Sequence, residues 1–219
     1  MVTDVNDQTG QETADEITNS GGEAFFIHSD VSKAADCEAA VAFAEEKFGK
    51  LNIIFNNAGI MHSDDDNAMT TEESVWDLTM NINAKGVFLG CKYGIPALQR
   101  AGGGSIINTA SFVAILGAAT PQVAYTASKG AVVQMTRALA IELAPFAINV
   151  NAICPGYIAT DSNEDYFDTE PGRKLIEMLP RKRPGKPEDL DGLLLLLAAE
   201  EAHFINGAII TADDGMTAQ

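Results

Sequence analysis

The sequence predicts an α/β fold in which parallel strands form a sheet covered by helices on both faces. Short apolar runs typical of buried strands alternate along the chain with longer segments of helical periodicity. The 219 residues suit one domain with a substantial core, and 46% hydrophobic and 21% charged residues are ordinary for a globular protein. Because no internal repeat or linker interrupts this alternation, we interpret residues 1–219 as a single domain.

Apolar segments bounded by polar or turn-forming residues predict the strands, in chain order 1–5, 24–28, 51–55, 104–109, 147–153 and 207–211. Segments with apolar residues three or four positions apart predict the helices, in chain order 8–20, 32–48, 71–99, 122–144 and 187–200. Since a helix separates each strand from the next, neighbouring strands are expected to run parallel.

Two groups of glycines belong to these elements. The run Gly102-Gly103-Gly104 precedes a predicted strand and indicates a turn. Gly86, Gly90 and Gly94 lie four residues apart within the third predicted helix. At that spacing they share one helix face, and we expect them to let another helix pack closely rather than to bind phosphate.

Charge and apolar run length exclude several classes of partner. The formal net charge of −17 argues against nucleic acid and against anionic membranes. The run from Leu193 to Leu197 is too short to cross a bilayer, and it predicts a helix in the core or at a subunit interface. No membrane partner is therefore expected.

Potential metal ligands are scattered. The three cysteines lack zinc spacing and are odd in number, which indicates buried thiols in a reducing cytoplasm: Cys37, Cys91 and Cys154. The Asp64-Asp65-Asp66 run lacks the further oxygen ligands of a calcium loop, so we interpret it as a solvated turn. No metal site is predicted.

Tyr125 and Lys129 lie four residues apart at the head of the fourth predicted helix, and so share one helix face. A nearby ammonium stabilises a phenolate, so we expect Lys129 to lower the pKa of Tyr125 from about 10. A phenol with such a pKa is a candidate general acid/base for a hydroxyl or carbonyl oxygen. A pair of this kind taken alone is more often a simple surface pair.

Polar motifs follow the predicted strands in a fixed order. Asn56-Asn57-Ala58-Gly59 follows the third strand, Ser111 the fourth and Pro155-Gly156-Tyr157-Ile158-Ala159-Thr160 the fifth, while Asn83 lies in the third helix. In order and spacing these motifs, together with Tyr125 and Lys129, resemble those of the classical short-chain dehydrogenase/reductase family over essentially the whole chain. The resemblance implies a Rossmann-like, doubly wound sheet and an NAD(P)-dependent oxidoreductase that interconverts a secondary alcohol and a ketone.

The resemblance also implies roles for four residues. Tyr125 is the acid/base, Lys129 contacts the nicotinamide ribose, Ser111 donates a hydrogen bond to the substrate oxygen, and Asn83 anchors a water near the lysine. Two structural alternatives stay open: Ser111 is a small polar residue at a strand end, and Asn83 is an amide that forms hydrogen bonds with a backbone group.

Cofactor contacts are implied in the same way. Asp4, at the end of the first predicted strand, would accept hydrogen bonds from the adenosine ribose and repel a 2′-phosphate, which favours NAD over NADP. The alternative for Asp4 is an ordinary surface aspartate. The remaining contacts implied are Asp30 and Val31 at the adenine, Asn57, Ala58 and Gly59 along the adenosine, and Pro155, Gly156, Ile158 and Thr160 beside the nicotinamide.

The family's first strand, glycine-rich turn and helix have no counterpart in the sequence, and the segment at 1–5 resembles the family's second strand. Backbone N–H groups of such a turn bind the cofactor pyrophosphate. We therefore expect an N-terminal βα unit to be missing, the strands at 1–5 and 24–28 to be separated from the rest, and cofactor binding to be weakened.

The segment 157–186 follows a strand's carboxyl end, where open α/β sheets bind ligands. It is long for a simple connection, begins with acids, ends with bases and carries interleaved apolar residues. In the resembling family this segment is the substrate lid. The alternative is an ordinary surface loop.

The sequence is compatible with two functions. The first is a dehydrogenase acting on a small alcohol or ketone. The second is a catalytically inactive paralogue that serves as a subunit-pairing module through the helices at 71–99 and 122–144, which form the family's dimer interface. A homodimer or homotetramer is expected from the same resemblance.

Overall fold

The computed structural model describes residues 1–118 and 120–218. The strands of these ranges are β1 Val2–Asp4, β2 Phe26–His28, β3 Ile53–Asn56, β4 Gly104–Thr109, β5 Ile148–Pro155 and β6 Ile209–Ala212. The α-helices are α1 Asp7–Asn19, α2 Ala34–Phe48, α3 Glu73–Met80, α4 Gly86–Arg100, α5 Val123–Leu143, α6 Glu164–Phe167, α7 Glu170–Met178 and α8 Asp191–Ala198. Every predicted strand is present, β4 at its predicted bounds and the other five with shifted ends.

The strands form two sheets. β1 and β2 pair with each other, while β3, β4, β5 and β6 pair in that order, and every pairing is parallel. The prediction of parallel strands is confirmed, and the expected separation of the first two strands from the rest is present. On β3, at the edge of the larger sheet, Ile53 and Phe55 are 44% and 39% exposed.

The larger sheet is covered on both faces, as predicted. Successive side chains of a strand point to opposite faces. Accordingly, Ile106 of β4 packs with Leu98 of α4 and Val132 of α5. Its neighbour Ile107 packs instead with Leu197 of α8. β4 is therefore packed against helices on both faces of the sheet.

The helix predicted over 71–99 begins at Glu73 and is interrupted by one π-helical segment, Asn81–Lys85, between α3 and α4. A π-helical turn inserts one residue into the i to i−4 pattern and turns the side chains that follow it. An apolar period of 3.6 residues tolerates such an insertion, so the sequence pattern does not reveal it.

The glycine predictions have mixed outcomes. The run Gly102-Gly103-Gly104 forms the turn before β4, with φ values of 89°, 131° and 157°. The expectation that the α4 glycines face another helix is wrong. A Cβ at Gly90 would lie 2.3 Å from Asn56 Oδ1, and one at Gly94 would lie 2.2 Å from Ile54 Cδ1, so these glycines let α4 approach β3.

The remaining structural expectations concern thiols, metals and membranes. Cys37, Cys91 and Cys154 are buried free thiols. Among the described residues, no cluster of three or more His, Cys, Asp or Glu side chains is arranged to hold a metal ion. Within residues 1–118 and 120–218, no helix is both long and apolar enough to span a bilayer.

Candidate active site

A cavity of about 520 Å³ opens at the carboxyl ends of β4 and β5. Ser111 and Tyr125 lie in its wall beside Pro155 and Gly156 of the loop after β5. Phe167 of α6 and Leu194 of α8 contribute apolar surface. The fold therefore brings the polar residues that follow two neighbouring strands into one partly enclosed space.

Tyr125 lies in the first turn of α5. Burial raises the pKa of its phenol above the ordinary value, and a side-chain hydrogen bond with Ser111 opposes that rise. The sequence-based expectation of a lowered pKa is therefore wrong for this structure. The neutral phenol, which can donate a proton, is the favoured form at neutral pH.

Lys129 lies one turn further along α5 and is 4% exposed. Its Nζ donates a hydrogen bond of 2.8 Å to the Thr109 carbonyl and lies 5.7 Å from the centre of the Tyr125 ring. Desolvation lowers the pKa of the ammonium to about 8. The lysine is thus held by the end of β4, facing the tyrosine ring, and burial is the larger influence on the tyrosine pKa.

Ser111 follows β4 and begins a short 3₁₀ turn, Phe112–Ala114. Its extended backbone and 5% exposure place the side chain at the cavity wall rather than in solvent. The Ser111 Oγ accepts a hydrogen bond of 3.4 Å from the Val113 backbone. Because the hydroxyl oxygen is the acceptor in this contact, its O–H proton remains available for donation to a ligand oxygen.

Asn83 lies in the π-helical segment and is fully buried. Its Oδ1 accepts from the Ile60 N–H at 2.8 Å, and its Nδ2 donates to the Ile60 carbonyl at 2.8 Å and to Ser128 Oγ at 3.0 Å. The alternative interpretation, an amide that satisfies backbone groups, describes these contacts. They tie the loop after β3 to the helix that carries Tyr125.

The residues predicted beside the nicotinamide surround the same cavity. Pro155, Gly156, Ile158 and Thr160 line it. A Cβ at Gly156 would lie 2.9 Å from the Asp213 Cα, so the two backbones approach more closely than any other residue permits. The loop is thereby fixed against the strand end.

The motif after β3 lies next to this cavity. Asn57, Ala58 and Gly59 are exposed, and the Asn57 Oδ1 accepts a hydrogen bond of 2.9 Å from the Thr109 hydroxyl. A Cβ at Gly59 would lie 3.3 Å from the Lys129 Nζ. The open backbone at Gly59 is therefore adjacent to the lysine.

The residues predicted at the adenosine ribose and the adenine, Asp4, Asp30 and Val31, form a second group at the carboxyl ends of β1 and β2. Asp4 is exposed, and its Oδ1 accepts from the Asn6 N–H at 2.8 Å. The Ser32 hydroxyl donates to Asp30 at 2.7 Å and is the main cause of the lowered pKa of that carboxyl. Val31 packs against α4 at Gly86, which connects this group to the helix beyond Asn83.

The segment predicted as a lid contains α6 and α7. The Tyr157 ring packs on Phe112 with ring centres 5.0 Å apart, and Phe167 is 8% exposed. A short parallel bridge joins Ile158 to Gly185, near the two ends of the segment. The segment therefore closes back on itself beside the cavity.

Sequence reasoning missed two polar residues here. Asp65 was interpreted with its neighbours as a solvated turn, but it is 9% exposed and its carboxylate accepts from the Ala124 and Tyr125 N–H groups. Gln122 lines the cavity, and its Oε1 is buried without a hydrogen-bond partner among the described residues. The local sequence does not identify either residue, because the groups around each of them come from distant segments of the chain.

The chain is similar to known proteins over nearly its whole length. The protein-family model described as enoyl-(acyl carrier protein) reductase matches residues 1–217. An uncharacterized oxidoreductase of Thermotoga maritima is 37% identical over 99% of this chain and 86% of its own. The cyclohexanol dehydrogenase of Acinetobacter sp. is 33% identical over 100% of this chain and 85% of its own. The crystal structure of levodione reductase superposes with a TM-score of 0.91 at 30% identity, covering 99% of this chain and 86% of that one.

Proposed function

Because the chain belongs to the short-chain dehydrogenase/reductase family, we propose that it interconverts a secondary alcohol and a ketone by hydride transfer. The observation that carries the proposal is the shared position of Ser111 and Tyr125 in one cavity wall, with the buried Lys129 ammonium behind them. The Acinetobacter relative, named as a cyclohexanol dehydrogenase, supports the same reaction class.

Tyr125 holds the proton that moves. In ketone reduction its neutral phenol donates to the oxygen on which negative charge develops, and burial favours that neutral form. In alcohol oxidation the phenolate must form first, so this direction requires a higher pH. The Ser111 hydroxyl donates a second hydrogen bond to the same oxygen and stabilises its charge in the transition state.

The residues present fit the nicotinamide half of a dinucleotide. The Lys129 ammonium is adjacent to the open backbone at Gly59, where a ribose can reach it, and Pro155 and Gly156 of the loop after β5 line the cavity that would receive the ring. When bound, the nicotinamide accepts or supplies the hydride. The exposed carboxylate of Asp4 favours NAD over NADP, because a negative charge repels a 2′-phosphate.

Pyrophosphate binding is the weak part of the proposed site. The glycine-rich turn that the resemblance implies has no counterpart in the sequence, and the turn after β1, at Val5 and Asn6, contains no glycine either. A glycine-rich turn would supply backbone N–H groups to the phosphates. We therefore expect the 219-residue chain to bind NADH weakly, which a fluorescence titration measures directly. Tight binding would contradict this expectation.

The cavity indicates the substrate class. Phe112, Phe167, Leu190 and Leu194 contribute much of its wall. Such a surface favours a medium-sized apolar alcohol or ketone over a highly charged one. Cyclohexanol, the substrate named for the Acinetobacter relative, is a suitable first probe.

The proposal is tested by following nicotinamide reduction at saturating NAD with cyclohexanol and other secondary alcohols. Tyr125→Phe removes the acid/base group, and we expect a loss of about 10²- to 10⁴-fold. Tyr93→Phe, on α4 outside the cavity wall, is the matched control and keeps wild-type activity. Equal rates for Tyr125→Phe and wild type would contradict the proposed role.

Exposed apolar side chains favour a second candidate, a subunit-pairing module. Trp76 of α3, Phe88 of α4 and Ile141 of α5 are 36%, 51% and 81% exposed. A homodimer or homotetramer would bury such side chains on helices α4 and α5. Stable association measured by sedimentation, without NADH binding, would favour this candidate over the enzyme.

A further inference from the structure

Helix α5 carries Tyr125 in its first turn but has no cap of its own. Its N-cap residue, Gln122, makes no side-chain hydrogen bond to the helix. The first N–H groups of a helix have no partner within the helix, and a buried N–H without a partner is costly. The cap of α5 must therefore come from elsewhere in the chain.

The loop after β3 supplies this cap. Asp65 Oδ1 accepts from the Ala124 N–H at 3.0 Å, and Oδ2 accepts from the Tyr125 N–H at 2.7 Å. The Asp66 carbonyl accepts from the Val123 N–H at 3.0 Å. Two consecutive aspartates thus satisfy three consecutive N–H groups, about sixty residues further along the chain.

The shorter of the two carboxylate bonds is made to the tyrosine's own backbone. A charged acceptor at a helix N-terminus forms a strong hydrogen bond and also interacts favourably with the helix dipole. Since Asp65 is 9% exposed, water does not readily replace this contact. The carboxylate therefore restricts the backbone from which the Tyr125 phenol projects.

The same loop is held at its other end by Asn83, which bonds the Ile60 N–H and carbonyl. Asn83 also donates to Ser128 Oγ, which in turn donates to the Tyr125 carbonyl at 2.7 Å. Both backbone polar groups of Tyr125 are consequently tied to residues 60–65 of this loop, one directly and one through two side chains.

We propose that Asp65 is a positioning residue that holds the first turn of α5, and with it the Tyr125 hydroxyl, in place for proton transfer. The role of the hydroxyl rests on the proposed function. A displacement of the acid/base group by about 1 Å can cost on the order of 10²-fold in rate. The lone carboxylate is not a ligand site, since both of its oxygens are engaged by the helix.

The test compares Asp65→Asn and Asp65→Ala with Asp64→Asn, the matched control. Asp64 has the same charge and is the chain neighbour of Asp65, but it is exposed, and its carboxylate accepts a hydrogen bond from the Ser63 hydroxyl rather than from α5. Asparagine keeps one acceptor oxygen and alanine keeps none. We therefore expect a graded effect, with the alanine variant affected more than the asparagine variant and the control unaffected.

Two measurements on the cofactor-free protein separate positioning from simple stability. With ¹³C-labelled tyrosine, the NMR signal of Tyr125 is expected to shift and broaden in the Asp65 variants, while those of the other tyrosines stay. Amide hydrogen exchange at Ala124 and Tyr125 is expected to accelerate by about tenfold or more, the effect of losing a cap. Both are recorded well below the midpoint of thermal unfolding.

A kinetic measurement completes the test. In active protein, kcat should fall by about 10- to 100-fold in Asp65→Asn, with the KM for the alcohol changed much less. A variant that is less stable but keeps the wild-type Tyr125 signal and exchange rates would overturn the proposal. If Asp65→Ala does not fold, Asp65→Asn decides the question. If the Asp65 variants show the expected changes at Tyr125 but the wild-type chain has no dehydrogenase activity, the positioning role is supported and the proposed function is contradicted.

Discussion

The buried ammonium of Lys129 makes a prediction about stability that needs no cofactor. Desolvation lowers its pKa from 10.5 to about 8 in the folded chain. One pKa unit corresponds to about 1.36 kcal/mol, so the folded state bears a penalty of about 3 kcal/mol while the lysine is charged. Lys129→Met removes the titrating group and fills a similar volume.

The pH window follows from the two pKa values. Between about pH 8 and 10.5 the unfolded chain keeps the lysine proton and the folded chain releases it, so stability rises with pH. Below about pH 8 the penalty is fully present. Relative to Lys129→Met, the wild-type free energy of unfolding should therefore increase by about 2–3 kcal/mol from pH 7 to pH 10.

Urea unfolding at several pH values measures this difference. Both proteins should carry Tyr125→Phe, so that ionisation of the neighbouring phenol does not contribute to the difference. Lys92→Met, at an exposed position of α4, is the control and should show no such trend. The reasoning is refuted if the difference in free energy of unfolding between the protein with Lys129 and the protein with Lys129→Met stays constant within about 0.5 kcal/mol from pH 7 to pH 10.

Two further predictions concern packing and pH. Gly90→Ala should lower the free energy of unfolding by about 1–3 kcal/mol, because the new Cβ would meet the Asn56 amide at 2.3 Å and that amide is held by hydrogen bonds. Gly130→Ala in α5, where a Cβ meets nothing within 4 Å, should instead stabilise by about 0.5–1 kcal/mol, and equal urea midpoints for the two variants would be contrary evidence. Because burial raises the pKa of Tyr125, alcohol oxidation at saturating NAD should rise with pH up to at least 9 while ketone reduction does not. An oxidation rate that peaks near pH 6 would be incompatible with that assignment.

Periodicity was sufficient to predict the elements that hold the site. β4 was predicted at its observed bounds, since 104–109 is a buried apolar run bounded by a glycine turn. Ser111 and Tyr125 were predicted from motifs that follow strand and helix boundaries, and the fold brings both to one cavity. The strand ends converge because parallel strands direct their carboxyl ends to one edge.

What the sequence could not predict depends on contacts between distant segments. The pKa of Tyr125 was predicted to fall, because a lysine four residues away is visible in the sequence and the burial that dominates is not. Asp65 resembles Asp64 and Asp66 in sequence, and only the approach of α5 makes it a buried cap. The π-helical turn at Asn83 likewise has no signature in an apolar pattern.

The transfer of deuterium tests the central claim most directly. Cyclohexanol deuterated at its carbinol carbon is incubated with the 219-residue chain at saturating NAD, and the reduced nicotinamide is analysed by mass spectrometry. We predict deuterated cofactor from the wild type and, with Tyr125→Phe, a loss of about 10²-fold or more. Transfer that is undiminished in Tyr125→Phe, or no transfer from any secondary alcohol by the wild type, would contradict a Tyr125-dependent dehydrogenase.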